Sequence, residues 1–237
     1  MNATGTNTAH STSAIAMMSH ALARLDDNQM PAEIQGVARA MFETVAPEMS
    51  GLNRIAMSNL WLFGPLVKRQ LEAGPSTNAM LRTTTALTIV NAGNKENVLP
   101  GRADAVVNFR LLPGDSLASV QQRAKETVAN ERFEYAVIPG ATEPSAITPT
   151  ESSSFKLIER SVRELFPGTV VVPGLMVGGT DSKHFENVSD HIYKFSPVRA
   201  KPEDLARFHG TNERVSTANL AERSEERRVG KECTREC

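Results

Sequence analysis

The stretch AVVNFRLLPGDSLASVQQRAKETVANERFEYAV, residues 105–137, decides the fold. Residues 105–112 alternate between apolar and polar positions, which is typical of a half-buried β-strand. The Pro-Gly-Asp-Ser turn at 113–116 ends that strand and supplies a helix cap. Apolar side chains then recur at helical spacing from Leu117 to Val128, and alternation returns at 133–137. The stretch therefore predicts a strand, a helix and a further strand.

The residues upstream predict a helix and one more strand. Residues 86–90 form a short apolar, β-branched run that indicates a strand. Apolar positions from 14 to 25 recur at helical spacing behind Ser11 and Thr12, whose hydroxyls we expect to cap the first turn. The order helix, strand, strand, helix, strand predicts an α/β protein whose first part is a ferredoxin-like sandwich that lacks only its first strand.

A helical insertion is predicted between the first helix and the first of these strands. Residues 33–46 and 53–73 have a helical pattern, and Gly64-Pro65 should kink or break the second helix because proline lacks an N–H and clashes with the preceding turn. The large apolar residues there are expected in the core rather than at a cofactor. They are Met41, Phe42, Trp61 and Phe63.

Beyond residue 140 the sequence predicts a second, α/β unit. A helix is expected from Phe155 to Leu165, closed by Pro-Gly at 167–168. Short apolar runs at 170–172 and 192–195 predict strands on either side of a glycine-rich segment. About 80 residues are few for the open sheet that this pattern suggests, so we expect that further sequence belongs upstream.

The end of the chain, residues 223–237, differs from the rest. RSEERRVGKEC, at 223–233, resembles the in-frame translation of a sequencing-library adapter; a native charged C-terminal helix is the alternative. Both cysteines, Cys233 and Cys237, lie in this tail, so they say nothing about the redox compartment. We expect residues 223–237 to be non-native and exclude them from the fold.

Charge and hydropathy argue against two classes of partner. The 26 Lys and Arg nearly balance the 27 Asp and Glu, so the basic surface that binds nucleic acid is not expected. The longest apolar stretch, near residues 59–67, is far shorter than the ~20 residues of a membrane span. The first residues do not have the pattern of a secretory signal, and any targeting signal is expected further upstream, so the compartment is unknown and the cytoplasm is only the default expectation.

Two polar segments offer groups that could carry chemistry. Residues 178–185, GGTDSKHF, combine a Gly-Gly pair with hydroxyl donors and the cation Lys183, a set suited to a carboxylate; a plain turn is the alternative for the glycines. Residues 208–214, FHGTNER, place His209 four residues before a glutamate. His209 is either a metal ligand or a structural or surface histidine.

Taken together and in order, several segments resemble one family, the di-zinc metallopeptidases that include aminoacylase and carboxypeptidase S. The resemblance is closest to the carboxypeptidase S-like branch, which includes hydrolases of N-fatty-acyl amino acids, and it extends from about residue 13 to residue 220. The matching segments are TTTALTIVNAG (83–93), NVLPGRADAVVNFR (97–110), GGTDSKHF, HGTNER, SNLWLF (58–63) and IYKFSP (192–197).

This resemblance implies a catalytic domain with two zinc ions, interrupted by a ferredoxin-like lid that also dimerises. In such enzymes the zinc pair activates a water, a glutamate acts as general base, and an amide next to a free carboxylate is cleaved. Residues 1–140 would be the lid with its helical insertion, and 141–222 the C-terminal portion of the catalytic domain. The expected substrate is a peptide or N-acyl amino acid, and the expected assembly is a homodimer through the lid.

The resemblance also assigns roles to individual residues. His209 matches a zinc ligand, and Lys183 lies where relatives often have an arginine that holds the substrate carboxylate, although lysine lacks the bidentate fork. His10 is the candidate for a histidine that reaches the partner subunit's active site. For Arg110 a strand-surface charge is the alternative. The implied substrate-binding residues are Gly179, Thr180, Asp181, Lys183, Asn97 and Arg110.

Departures from the family pattern are equally informative. The other zinc ligands of the family come from an H-x-D segment, a bridging Asp and a later acidic residue, and its base from a Glu-Glu pair, all upstream of the lid; this sequence contains no H-x-D. We therefore expect the chain to be the C-terminal part of such an enzyme and inactive by itself. The alternative is a non-catalytic module for dimerisation or carboxylate binding.

Overall fold

The computed structural model describes residues 2–4, 13–176, 178–201, 204, 207 and 210–222. The chain divides into two compact units, Met1–Ala146 and Ile147–Cys237. The helices are α1 (Ala14–Asp27), α2 (Gly36–Val45), α3 (Gly51–Ser58), α4 (Leu60–Glu72), α5 (Pro75–Leu81), α6 (Leu117–Val128) and α7 (Ser153–Leu165). The strands are β1 (Asn2–Thr4), β2 (Thr84–Ala92), β3 (Arg102–Arg110) and β4 (Phe133–Glu134).

The alternating residues of the first unit form an antiparallel sheet with the order β2-β3-β1-β4 in the described part of the chain. β2 and β3 pair from Thr84↔Arg110 to Ala92↔Ala103, with a bulge between Leu87 and Ile89. β1 pairs with both β3 and β4. This order, with one helix after β1 and another after β3, is the ferredoxin-like arrangement, so the predicted α/β fold of this unit is confirmed.

The prediction that the first strand is missing was wrong. β1 occupies the place between β3 and β4, through the pairs Asn2↔Asp104 and Asn2↔Glu134. Its three residues are too few to show an alternating pattern in the sequence. β1 forms because its backbone N–H and C=O groups pair with those of β3 and β4, which are distant along the chain.

The helices α1 and α6 cover one face of this sheet and enclose its core. Met18 of α1 is 1% exposed and Val128 of α6 is 1% exposed, and both belong to the same apolar cluster as Ala103 and Ala105 of β3. These alanines lie two residues apart, as one face of a strand requires. The small side chains let the helices lie close to the sheet.

The N-terminal cap of α1 differs from the prediction. The hydroxyl oxygen of Ser13 accepts a hydrogen bond from the N–H of Ala16 at 3.2 Å, so Ser13 is the cap rather than Ser11 or Thr12. A cap must lie directly before the first helical residue to reach the N–H three positions on. The helical pattern fixed the existence of α1, and its start was predicted one or two residues early.

The helical insertion, α2 to α5, has a separate apolar core. Phe42, Met57, Val67 and Leu81 are buried there, and Met41 and Phe63 are partly buried against them. The core prediction is therefore confirmed for Phe42 and partly for Met41 and Phe63. It was wrong for Trp61, which is 82% exposed, because this residue lies on a different side of α4 from Val67.

The helical segment is broken at Asn59; of the kink or break predicted at Gly64-Pro65, the break does not occur. Asn59 has φ −126° and ψ 51°, ends α3 and precedes α4, which continues through Pro65. Pro65 lies in the second turn of α4, where its missing N–H removes a single intrahelical hydrogen bond. The cost of that one bond does not outweigh the packing of Val67 and Leu71 in the insertion core.

The second unit contains the predicted helix but not the predicted strands. α7 begins at a serine cap, where the Ser152 hydroxyl accepts from the N–H of Phe155 at 3.1 Å. Residues 170–172 and 192–195 form no strand in the part of the chain that the structure describes, so these two predictions were wrong. An apolar run forms a strand only where another strand pairs with it, which sequence periodicity does not reveal.

None of the described helices combines the length and the apolar character required to cross a membrane. The predicted tail, residues 223–237, lies outside the described residues.

Candidate carboxylate-binding site

Thr180 organises the loop that carries the predicted carboxylate-binding residues. It is extended, with φ −138° and ψ 165°, and precedes a 3₁₀ helix at Asp181–Phe185. Its hydroxyl oxygen accepts from the N–H of Ser182 at 3.3 Å and lies 2.6 Å from the Ser182 hydroxyl. This cap satisfies an otherwise free N–H at the start of the turn. Thr180 thus determines the direction in which the following side chains leave the backbone.

The turn presents two basic side chains to solvent. Lys183 and His184 are both exposed, and Lys183 forms no ion pair with any residue that the structure describes. Its three N–H donors are therefore available to an anion. Sequence reasoning gave no role to His184, although its place next to Lys183 in GGTDSKHF is the signal that could have indicated one.

Gly179 leaves space beside the backbone and does not adopt the left-handed conformation that only glycine readily takes. Its φ is outside the left-handed region, and a Cβ at this position would meet no described atom within 4 Å. A glycine here leaves the backbone on the Thr180 side uncovered, so a ligand can approach it closely. Asp181 is exposed in the first turn of the 3₁₀ helix, where a negative charge is favourable.

Hydrogen bonds anchor the segment that follows this loop to the start of α7. The Tyr193 hydroxyl donates to the carbonyl of Pro149 and contacts the Ser152 hydroxyl. The Thr148 hydroxyl donates to the carbonyl of Ile192 at 2.9 Å, and the rings of Phe155 and Tyr193 lie 5.6 Å apart. These contacts fix one end of the loop that carries Lys183.

The predicted cleft residues of the first unit, Asn97 and Arg110, are not brought together. Asn97 is exposed in the turn between β2 and β3, and Arg110 is the last residue of β3, paired with Thr84. The length of β3 separates them, about 26 Å for eight steps along a strand. A single carboxylate cannot contact both side chains in this unit.

Arg110 lies on the sheet face opposite the helices. Residues 103 and 105 of β3 are buried under α1 and α6, so the even-numbered positions face the other way. Arg102 and Asp104 share this face, with Arg102 Nη2 2.8 Å from Asp104 Oδ1. The hydrogen bond to Asp104, aided by its charge, raises the pKa of Arg102, so this guanidinium stays charged.

His10 and His209 lie outside the described residues. Among the described residues, no three His, Cys, Asp or Glu side chains come together as ligands for a metal ion. A catalytic zinc needs three protein ligands. The described part of this chain therefore does not fit a zinc pair.

Residues 5–136 match a family model described as the peptidase dimerisation domain. The match spans most of the ferredoxin-like sandwich and the helical insertion. The chain belongs to the M20 peptidase dimerisation domain family. The resemblance inferred from the sequence segments is thereby confirmed.

Curated M20 relatives extend the similarity into the second unit. The chain is 43% identical over 208 residues to the N-fatty-acyl-amino acid synthase/hydrolase PM20D1 of Xenopus tropicalis, covering 87% of this chain and 40% of that protein. It is 38% identical over 207 residues to the probable carboxypeptidase S-like 2 of Dictyostelium discoideum, again covering 87% and 40%. The chain thus spans about two fifths of the length of the curated relatives it matches.

Among solved structures, the chain is similar to Sso-CP2, an M20 family metallo-carboxypeptidase from Sulfolobus solfataricus. The TM-score is 0.44 and the identity 14%, with coverage of 73% of this chain and 47% of that one.

Proposed function

We propose that this chain supplies part of a metal-dependent amidohydrolase or carboxypeptidase that cleaves an amide bond next to a free carboxylate. The observation that carries the proposal is the identity of 43% and 38%, over 87% of the chain, to proteins named as an N-fatty-acyl-amino acid synthase/hydrolase and a probable carboxypeptidase S-like protein. Both names describe substrates that have a carboxylate beside the scissile amide. An N-acyl amino acid or a peptide is the proposed substrate.

Lys183 is the proposed carboxylate-binding residue. Its exposure and the Thr180 cap before it support this role, since Lys183 lies in a capped turn and forms no ion pair with any described residue. Gly179, Thr180 and Asp181 shape the loop. Because Asn97 lies in the turn before β3 and Arg110 is the last residue of β3, we assign them to different parts of the substrate cleft.

Zinc is the proposed metal of the complete enzyme, with His209 as the ligand from this chain. The described residues do not supply the remaining ligands, and the sequence contains no H-x-D. We therefore propose that hydrolysis requires ligands from sequence outside this chain and that the chain is inactive by itself. One histidine does not hold zinc at catalytic occupancy.

The proposed organisation assigns residues 1–140 to a lid, 141–222 to the C-terminal portion of the catalytic domain and 223–237 to a non-native tail. The match of residues 5–136 to a dimerisation domain supports a homodimer through the lid. In that dimer His10 is proposed to reach the partner subunit's active site.

A non-catalytic module is the second candidate. The dimerisation domain and the Lys183 loop are both present, whereas a described metal-ligand cluster is not. Such a module would bind a carboxylated ligand without cleaving it.

The deciding experiment replaces the matching stretch of the Xenopus relative by this chain. We expect the metal-loaded chimera to hydrolyse a short-chain N-acyl amino acid and the isolated chain not to do so. Lys183→Ala should raise KM about 10- to 100-fold with a smaller change in kcat, because a hydrogen bond to a charged group is lost. Lys156→Ala, an exposed lysine of α7, is the matched control.

Two results would contradict parts of this proposal. A chimera that folds and binds metal without cleaving any N-acyl amino acid favours the module, which should then bind the same ligand in a Lys183-dependent way. Hydrolysis by the isolated chain would overturn the requirement for ligands from elsewhere.

A further inference from the structure

The helical insertion has an apolar face that no described residue covers. We name the side chains Leu52, Ile55, Trp61, Leu62 and Leu66 the α3–α4 apolar face. Leu52 and Trp61 are each 82% exposed, and the other three are 53–65% exposed. All five lie on two consecutive helices, within residues 52–66, and exposed large apolar residues concentrated in one element pair indicate an interaction site.

On α4, the side chains of the α3–α4 apolar face lie on a different side from the side chains that pack in the insertion core. At 100° per residue, the positions Trp61, Pro65, Arg69, Leu62 and Leu66 share one arc of about 140°. Phe63, Val67 and Leu71 lie on the other side and pack in the insertion core. The helix is therefore apolar on both sides, and its outer side also contains an arginine.

The two helices that carry this face have a net positive charge, and the exposed Glu48 lies three residues before α3. α3 and α4 contain Arg54, Lys68 and Arg69 but a single acid, Glu72, which pairs with Arg82 inside the unit. Arg54 and Arg69 are exposed and form no ion pair with any described residue. A surface that combines tryptophan and leucine with arginine is complementary to an anionic lipid surface.

We propose that the α3–α4 apolar face docks on an anionic lipid surface. This deepens the proposed function and rests on it in one respect: an N-acyl amino acid with a long acyl chain is an anionic amphiphile, which dissolves in such a surface. Trp61 and Leu66 insert among the lipids, and Arg54 and Arg69 contact the headgroups. A second copy of the chain fits less well, since a two-fold interface would oppose arginines to arginines.

Trp61 is the single tryptophan of the chain and therefore reports directly on the docking. Adding vesicles of phosphatidylcholine with phosphatidylglycerol should shift its emission to shorter wavelength and expose it to quenching by brominated lipids. Pure phosphatidylcholine should give a weaker effect, and salt should weaken the anionic one. An unchanged emission spectrum with anionic vesicles would overturn the proposal.

Variants that keep Trp61 separate the two contributions. Leu62→Ser with Leu66→Ser should weaken vesicle binding at least about tenfold, because two exposed apolar side chains lose their burial in lipid. Ile147→Ser with Val188→Ser is the matched control, since both residues are at least half exposed in the second unit. Equal losses in the two double variants would contradict the assignment to this face.

The charge contribution has its own pair of variants. Arg54→Gln with Arg69→Gln should weaken binding to anionic vesicles about 25-fold, at about fivefold per arginine. Lys95→Gln with Arg123→Gln removes the same charge from exposed sites outside the insertion and should have a smaller effect. Equal effects would mean that net charge, not this face, attracts the lipid.

Two further outcomes identify other occupants and would overturn the proposal. Trp61 emission that is already shifted without vesicles and varies with protein concentration would indicate a second copy of the chain. Loss of vesicle flotation in the Xenopus chimera would indicate that the rest of the enzyme covers the face. Chimera activity on a soluble short-chain substrate needs no vesicle, so failure of docking and failure of the hydrolase are distinguishable.

Discussion

The two units of this chain are stabilised in different ways. The first buries methionine, valine, phenylalanine and alanine side chains between helices and sheet, and a second such core lies in its helical insertion. In the second unit, Ser161 and Val162 are the buried residues among those described. Side-chain hydrogen bonds connect its segments instead, from Thr148 to Ile192 and from Tyr193 to Pro149.

This difference indicates which unit is stable enough to fold without contacts from other sequence. Burial of apolar area is the dominant favourable contribution to folding, whereas a net hydrogen bond contributes about 0.5–1.5 kcal/mol. The first unit should therefore have the higher free energy of unfolding. In its described part, the second unit buries few apolar side chains. This agrees with the proposal that the catalytic domain contains further sequence that would cover them.

The largest expected effect concerns a methionine of each unit. Met18 is 1% exposed between α1 and the sheet, and Met176 is 50% exposed. Met18→Ala should lower the free energy of unfolding by about 2–5 kcal/mol, because it leaves a cavity. Met176→Ala should change it by less than about 0.5 kcal/mol. Urea unfolding followed by circular dichroism measures both changes. Equal losses in the free energy of unfolding would contradict the expected difference between the two units.

A matched pair of threonines tests the polar contacts. The Thr83 hydroxyl, in a residue 1% exposed, donates to Asp115 and accepts from the N–H of Leu112 at 2.9 Å. Thr83→Val leaves both partners unsatisfied and should cost about 1–3 kcal/mol. Thr148→Val removes one hydrogen bond and should cost about 0.5–1.5 kcal/mol. A larger loss in Thr148→Val would reverse the proposed ranking of the units.

For the two tyrosines of the chain, loss of the hydroxyl should destabilise the second unit more than the first. This is the opposite of the order expected for the methionines and threonines. Tyr193→Phe removes the hydroxyl that joins Pro149 to Ser152 and should cost about 1 kcal/mol. The buried Tyr135 hydroxyl has no hydrogen-bond partner among the described residues. Tyr135→Phe should therefore be neutral or stabilise by up to about 1 kcal/mol. Thermal unfolding near neutral pH checks this, and a clear loss in Tyr135→Phe would reveal a partner for its hydroxyl.

The smallest effect is a pH dependence of the first unit. Burial raises the pKa of Tyr135 above its ordinary value of 10.0. As pH rises through that value, the unfolded chain loses the phenolic proton first, so the free energy of unfolding falls. Tyr135→Phe should remove this part of the fall. Urea midpoints of both proteins between about pH 8 and 11 measure it, and parallel curves would show that the hydroxyl is solvated.

Local patterns were sufficient for most of the first unit. Leu117 to Val128 repeats at helical spacing and forms α6, and residues 105–110 alternate and lie in β3. The same kind of pattern wrongly predicted a strand at 192–195. This segment is held by the hydrogen bond from the Tyr193 hydroxyl to the carbonyl of Pro149, and not by strand pairing. Periodicity states which side of an element is apolar, but not whether another element covers that side.

The candidate site shows the same division. The sequence of residues 178–185 was enough to predict a polar turn with an available lysine, because Thr180 caps its own neighbour, Ser182. The separation of Asn97 and Arg110 depends on the length of β3, which begins at Arg102 and so three residues before the alternation that predicted it. For His10 and His209 the roles stay predictions.

By itself, the sequence determined the elements that depend on near neighbours: α1, α6, α7, the existence of β2 and β3, and the capped turn before Lys183. Only the tertiary structure decided that Asn2–Thr4 completes the sheet and that Trp61 faces solvent. Hydrogen bonds within a helix or turn join residues a few positions apart, so their partners are visible in the sequence. Strand pairing and burial join residues far apart along the chain, and their partners become known only once the chain has folded.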